Sequence, residues 1–412
     1  MAAPNKAQNS RFASNIPRYF LYTVLKGFAF GLIISIWVIY LQQRRGLSLT
    51  ETTIIDVAFW MAATLGELPT GIVADTVGRK ASITIGAALM GVSIFAWAIA
   101  PTMPLIMLAY VFLAIGVTFL SGAEDAFFYE SVQITGRSEE YTHLVGRVGA
   151  TLIGATALGN VASGLLGTLD LILPFLVGSV TFFALLGVAL TFREPRLTDK
   201  SVEQPQKSYR EVVRSSLELM RARPALLYPM LYASLVPVVA LMMETFFLQP
   251  QSVALGIPIA GVGLVVMAIQ IPNIAGSTWS SRIKVRFGEG RILYAAPVLI
   301  VCSLLLLAAL QTFPALLFIA VIGFVTAVLR PLLLSRIQDE VPDGIRATIL
   351  SVQSLMLTFF LAVSEPILGF TADHAGLPAA YVGLAGGLGI LSLFLFWKSR
   401  LHFPQVAPVN QV

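Results

Sequence analysis

Apolar runs about 20 residues long recur along almost the whole chain, and each is long enough to cross a hydrocarbon layer about 30 Å thick. No other feature restricts the fold as severely. Lipid offers no partner for unpaired backbone groups, so only helices and closed barrels can span it. A barrel would show short segments alternating with a period of two, whereas Leu105 to Ser121 and Pro297 to Leu310 are nearly continuous apolar text. The spans are therefore helices. Composition agrees, because 57% hydrophobic and 12% charged residues over 412 positions cannot be arranged as a water-soluble surface.

Twelve spans are expected, near 17–41, 52–74, 81–100, 104–132, 146–167, 171–192, 225–249, 258–280, 292–311, 314–335, 347–371 and 378–397. Short connections such as PTMP, TLDL, QTFP and TADHAGLP join them at one face, and the charged loops lie at the other. Of the 27 Lys and Arg residues, only Arg44 and Arg45 fall in loops of the first face, while Lys26 and Arg330 lie inside spans. The positive-inside rule then puts the basic face and both termini in the cytoplasm. Net charge +5 is explained by topology, and no nucleic-acid partner is needed. The polar N-terminus lacks a small-residue cleavage site after its first apolar run, so the first span is expected to stay as an anchor. A single cysteine, Cys302, leaves no intrachain disulfide and no cysteine-based metal site.

The longest polar stretch, Arg193 to Arg223, divides the chain into two six-span halves. The expected domains are 1–192, a cytoplasmic linker 193–224 with a possible amphipathic helix, and 225–412 with a short tail. Internal repetition is visible where GIVADTVGRK, between spans two and three, has a worn counterpart in GSTWSSRIKVRFGEGR, Gly276 to Arg291.

With twelve spans in two halves and G-x-x-x-D-x-x-G-R-K after span two, the chain resembles the major facilitator superfamily of secondary transporters, whose motif A is matched by Gly71, Asp75, Gly78, Arg79 and Lys80. The resemblance covers the whole chain. It implies an all-α membrane fold and a latch at the cytoplasmic side made by this cluster, with Glu130 placed to meet Arg79 or Lys80. Two signatures of the family's drug/proton antiporters are missing: Phe112 stands where span four would carry an arginine, and LGNVASGLLG, Leu158 to Gly167, lacks the proline of span five.

Ionisable residues inside spans cost several kcal/mol in lipid and usually face a cavity or each other. Lys26, Glu67, Glu124 and Asp125 share a layer about 12 Å from the cytoplasmic edge. Lys26 could neutralise one of these acids and leave another to titrate. Glu124 and Asp125 stand about 100° apart on their helix, so both are not expected in one cavity. A second layer, Asp56, Glu244 and Glu365, lies about 7–11 Å from the outer end and draws on both halves. Asp56 and Glu67 share a face of span two, being close to three turns apart. Arg330 adds an inner positive charge, and Gln270 and Asn273 on span eight are polar candidates for substrate contact or an interhelical hydrogen bond. Tyr19, Tyr22, Phe28, Trp37, Phe127, Phe128, Tyr129, Phe246 and Phe247 could line a cavity, although core or lipid-facing packing is the commoner fate of such residues.

Two cations against six embedded acids cannot all be ionised at low cost, so part of the set is expected to carry protons near neutral pH. An acidic, partly aromatic cavity suits cationic or amphipathic organic solutes. The first expectation is thus a proton-coupled exporter (an antiporter) of lipophilic or cationic compounds, with Glu67 as coupling acid and a monomeric chain in the plasma membrane, the inner membrane if the source is prokaryotic. The alternatives are an uptake symporter or facilitator for a polar or anionic metabolite, clamped by Lys26 and Arg330, and a non-transporting receptor or scaffold. No phosphate loop or paired metal ligands occur, and His143, His374 and His402 are scattered, so neither catalysis nor a cofactor is expected.

Overall fold

The computed structural model describes residues 12–195, 214, 224–340 and 346–399. The amphipathic helix expected in the linker falls almost wholly outside the described residues. The described residues form helices and connecting turns without strands. Among the described residues, eleven helices are long and apolar enough to cross a membrane, or twelve when the bent pair at the start counts as one span.

That first span, α1, runs Asn15–Ile34 and, after a 44° bend, continues as Trp37–Ile39 and a π-helical stretch Tyr40–Arg44. The first half continues with α2 (Leu49–Thr76), α3 (Arg79–Ile99), α4 (Met103–Leu120, extended by Ala123–Ile134), α5 (Tyr141–Leu169) and α6 (Leu173–Leu190). In the second half α7 (Pro224–Leu241) passes through a π-helical turn, Met242–Phe247, into Leu248–Ala254. It is followed by α8 (Ile259–Phe287), α9 (Glu289–Ala309), α10 (Leu316–Glu340), α11 (Arg346–Ala375) and α12 (Leu377–Ser399).

Local chemistry explains the ends. Ser48 Oγ accepts from the Glu51 amide at 3.1 Å while Glu51 Oε2 accepts from the Ser48 amide at 2.8 Å, a capping box that starts α2. Pro104 and Pro174 occupy first turns, where a missing N–H costs nothing. Span four was expected to be continuous, but Gly122 adopts φ 70° and breaks it. Helices α7 and α11 run past their expected ends, to Ala254 and Ala375. Glu244 and Glu365 each lie ten residues before those ends, about 15 Å along the axis and deeper than the sequence count placed them.

The molecule divides into two compact units. The first contains Met1–Gln206 together with Thr245–Ala268 and Ala362–Asp373, so parts of α7, α8 and α11 belong with the first six spans. The second contains Lys207–Glu244, Ile269–Leu361 and His374–Val412. Within the first, α1 packs on α5 and α6, and α3 on α4 and α6. The pairings α3–α4, α3–α6 and α1–α6 recur in the second unit as α9–α10, α9–α12 and α7–α12, which is the structural form of the repeat.

Lipid removes the hydrophobic drive between helices, leaving close packing and interhelical hydrogen bonds to hold them. Gly31 of α1 lies against the backbone of Thr156, Gly159 and Asn160 on α5, leaving no room for a methyl group. Ser163 Oγ donates to the Leu32 carbonyl at 2.6 Å, Ser82 Oγ to Phe119 at 2.6 Å and Ser280 Oγ to Val328 at 2.8 Å. Each such bond contributes about 0.6 kcal/mol. Large apolar side chains such as Leu158, Val180 and Ile390 remain exposed, as a lipid-facing surface requires.

Candidate functional site

At the face where α1 begins and α2 ends, the motif residues form one cluster. Gly78 turns the chain between α2 and α3 at φ 127°, a conformation L side chains rarely adopt. Arg79 Nη1 meets Asp75 Oδ1 at 2.6 Å, and its Nε lies 3.9 Å from Glu130 Oε1 on the α4 extension. Glu194, which the sequence reading missed, accepts the backbone amides of Arg79 and Lys80, both at 2.8 Å. Its carboxylate therefore sits on the positive end of α3. Asn15 positions it, bonding the carbonyl and amide of Arg193 at 2.8 and 3.0 Å and Ser131 Oγ at 3.1 Å. Gly71 stands one turn before Asp75 on α2. The only available signal for Glu194 was an acid directly after span six.

Deeper in the first unit Lys26 pairs with Glu124, and Tyr22 Oη donates to the other Glu124 oxygen at 2.5 Å. Glu124 is buried and Asp125 exposed, as expected from their angular separation. Tyr19, Tyr22, Phe127 and Phe128 do not line an open cavity. They are buried: Tyr19 and Phe127 stack with Phe192, the latter at 4.5 Å, Tyr22 meets it tilted at 5.6 Å, and Phe128 stacks on Tyr19 at 4.5 Å. Phe28 is half-buried, and Tyr129 is exposed beside Tyr141. Glu67 is exposed on α2.

Toward the opposite face Asp56 is buried, receiving Trp60 Nε1 at 3.2 Å and Tyr110 Oη at 3.3 Å. Glu365 is likewise buried, on α11, one turn from Gly369, which packs against Thr53 of α2. Trp37 stacks on Tyr110 at 5.9 Å, meets Phe246 edge-on at 6.0 Å and donates from Nε1 to the Thr245 carbonyl at 3.1 Å. Phe247 packs edge-on against Phe246 at 4.9 Å. Gln249 is fully buried and bridges the bend of α1: its Nε2 donates to Ile34 O at 2.8 Å and its Oε1 accepts from Val38 N at 3.0 Å. Those are the two groups a straight helix would join to each other. Nothing in the local sequence marks Gln249 for this role.

In the second unit the structure brings Glu244, Asn273 and Gln270 together. Asn273 Nδ2 donates to Glu244 Oε2 at 2.8 Å and lies 3.4 Å from Gln270 Oε1, while Asn273 Oδ1 is buried without a partner. A methyl group on Gly323 of α10 would overlap both Asn273 Oδ1 and Glu244 Oε1. Glu244 sits in the π-helical turn of α7, a device frequent at functional sites. Arg330 is exposed on α10, away from any ion pair among the described residues. Among the described residues no group of acids, His or Cys could hold a metal ion.

A family model described as Major Facilitator Superfamily matches residues 19–364. The uncharacterized MFS-type transporter YxaM of Bacillus subtilis (strain 168) is 23% identical over 207 residues, 49% of this chain and 50% of that protein. The match thus spans about half the length of that curated relative. Among solved structures, a mutant of the nucleoside transporter NupG superposes with TM-score 0.78 at 14% identity, over 93% of this chain and 99% of that one. A D-xylose-proton symporter follows the same fold with TM-score 0.68 at 15% identity, over 92% and 97%.

Proposed function

The chain belongs to the major facilitator superfamily, and on that premise we propose that it is a proton-coupled secondary transporter exporting lipophilic or cationic organic solutes by alternating access. One observation carries the reading. Of the embedded acids Asp56, Glu67, Glu124, Asp125, Glu244 and Glu365, only Glu124 forms an ion pair among the described residues. An acid inside a span that has no cation beside it must be neutralised by a proton or by a cationic solute. Competition between those two for one carboxylate is the chemistry of proton/cation exchange. Glu67 is the coupling acid in this reading, since it lies about two turns from the Asp75 cluster on the same helix and follows its movement. Glu244 is its partner in the second half. The latch formed by Asp75, Arg79, Glu130 and Glu194 would close the cytoplasmic side, and the basic face sets both termini there in the plasma membrane.

A second reading, uptake of a polar solute, draws on the Glu244–Asn273–Gln270 cluster, whose buried Asn273 Oδ1 lacks a donor. Nucleoside and D-xylose carriers among the structural neighbours share this fold. The anion-clamp version is weaker, because Lys26 is engaged by Glu124. Flux in proteoliposomes of purified protein separates the two. Export predicts that a lipophilic cation accumulates against its gradient only under an imposed pH gradient; gradient-dependent accumulation of nucleosides or pentoses but not of cations would favour the second reading.

A further inference from the structure

Asp56 and Glu365 are two carboxyl groups, 6% and 2% exposed, at matching depth on α2 and α11: Gly369, one turn after Glu365, packs on Thr53, about one turn before Asp56. Carboxylates only accept, so two buried carboxyl groups beside each other are held at least cost when one keeps a proton and donates it to the other. Among the described residues no cation forms an ion pair with either acid. Arg44 lies 3.5 Å from Asp170, and Arg45 donates to Tyr40 Oη and the Ala98 carbonyl. The charged residues of α3, Arg79 and Lys80, stand at its other end. Tyr110 on α4 and Trp60 on α2 both donate to Asp56, while Glu365 Oε2 is buried with no partner. Glu51 is held in its capping box, and Asp373 accepts the amides of Leu49 and Thr50 at 2.9 and 2.8 Å.

We propose that Asp56 and Glu365 share one proton, and that this proton is bound only while the start of α2 and the end of α11 are held together. The proposal rests on the alternating-access reading above. Loss of the proton leaves two like charges side by side in a buried site, with no cation paired to either among the described residues, and the least costly relief is separation into water. Opening of this face releases the proton to the solution it meets; uptake of a proton from that solution lets the face close again. The contact is therefore present at low pH and lost as pH rises. Asp373 on the α2 amides supplies a second tie that does not need a proton, and Gly369 packs against Leu49, Thr50 and Thr53 beside it. The proton pair biases a contact that these groups already shape.

The test uses full-length protein in nanodiscs with Cys302→Ala, Ile54→Cys and Phe370→Cys. Ile54 and Phe370 are exposed side chains outside the pair. Spin labels at the two sites report the α2–α11 distance by electron double resonance. With the pair intact, a longer-distance population should grow as pH is raised from mildly acidic to mildly alkaline. Asp56→Asn supplies a fixed N–H donor to Glu365 and should abolish that growth, keeping the short distance throughout; Glu365→Gln, the same change from the other side, should behave alike and serves if Asp56→Asn fails to fold. A distance insensitive to pH with the pair intact, or an undiminished pH response in the folded variant, overturns the proposal. Gradient-driven flux of the same preparations keeps the two readings apart: driven flux with pH-insensitive distances sinks the shared proton alone, and pH-sensitive distances without gradient dependence sink the coupling reading alone.

Discussion

In the first half the buried acid Glu124 has both Lys26 and the Tyr22 hydroxyl as partners, whereas in the second half Glu244 has the Asn273 amide and no cation among the described residues. Both sit within helices that cross the membrane. The first arrangement neutralises its charge internally and fixes α1 against α4; the second leaves neutralisation to something that can come and go. A fixed pair makes architecture and an unpaired acid makes a site, so the working chemistry should follow the unpaired acids.

The loops after α2 and α8 show the same contrast of plan with variation. Gly78 and Gly288 both take positive φ just before a helix. The next residue is Arg79 in one and Glu289 in the other. Arg79 faces Glu130 on α4, while Glu289 faces Arg336 on α10 at 3.3 Å and Lys284 at 2.8 Å. The repeat kept the turn and inverted the charges.

Lys26→Met strips Glu124 of its cation and should cost about 3–5 kcal/mol in unfolding measurements, with most of it recovered when Glu124→Gln is added. A small loss for Lys26→Met would mean that the pair is not structural. Next in size, Gly323→Ala presses a methyl group into Asn273 and Glu244 and should cost about 1–3 kcal/mol. The same protein should lose transport disproportionately, because its displaced groups belong to the unpaired site. Glu194→Ala uncaps α3 and should cost about 0.5–2 kcal/mol with weakened closure of the motif face, visible as faster cysteine labelling there. Smallest is Arg336→Ala, which loosens a partly exposed pair in the second loop and should change stability by less than about 1 kcal/mol. An effect as large as that of Glu194→Ala would show that the inverted loop bears as much of the structure as the original.

How much of this was legible follows from the range of each interaction. The spans were readable because every helix must announce itself as an apolar run, and the Asp75–Arg79 turn because its parts are four residues apart. Lys26 and Glu124 could be matched by depth alone, since a charge inside lipid has few places to go. Glu194, Gln249 and the Asp56–Glu365 juxtaposition were not readable as pairs. Their partners lie more than a hundred residues away, and a local sequence window contains nothing about which helix ends meet. Core or lipid-facing packing was readable as the commoner fate of the aromatic residues, but not which ring takes which place, because a ring facing lipid and a ring packed on Phe192 have the same sequence.

If unpaired acids couple protons to transport and the paired acid does not, substrate-dependent proton movement across proteoliposomes separates Glu67→Gln from Lys26→Met/Glu124→Gln. Glu67→Gln should lose coupled proton movement and gradient-driven accumulation while still exchanging solute between equal pools, and the double variant should keep both. Normal coupling in Glu67→Gln, together with its loss in the double variant, would contradict that assignment.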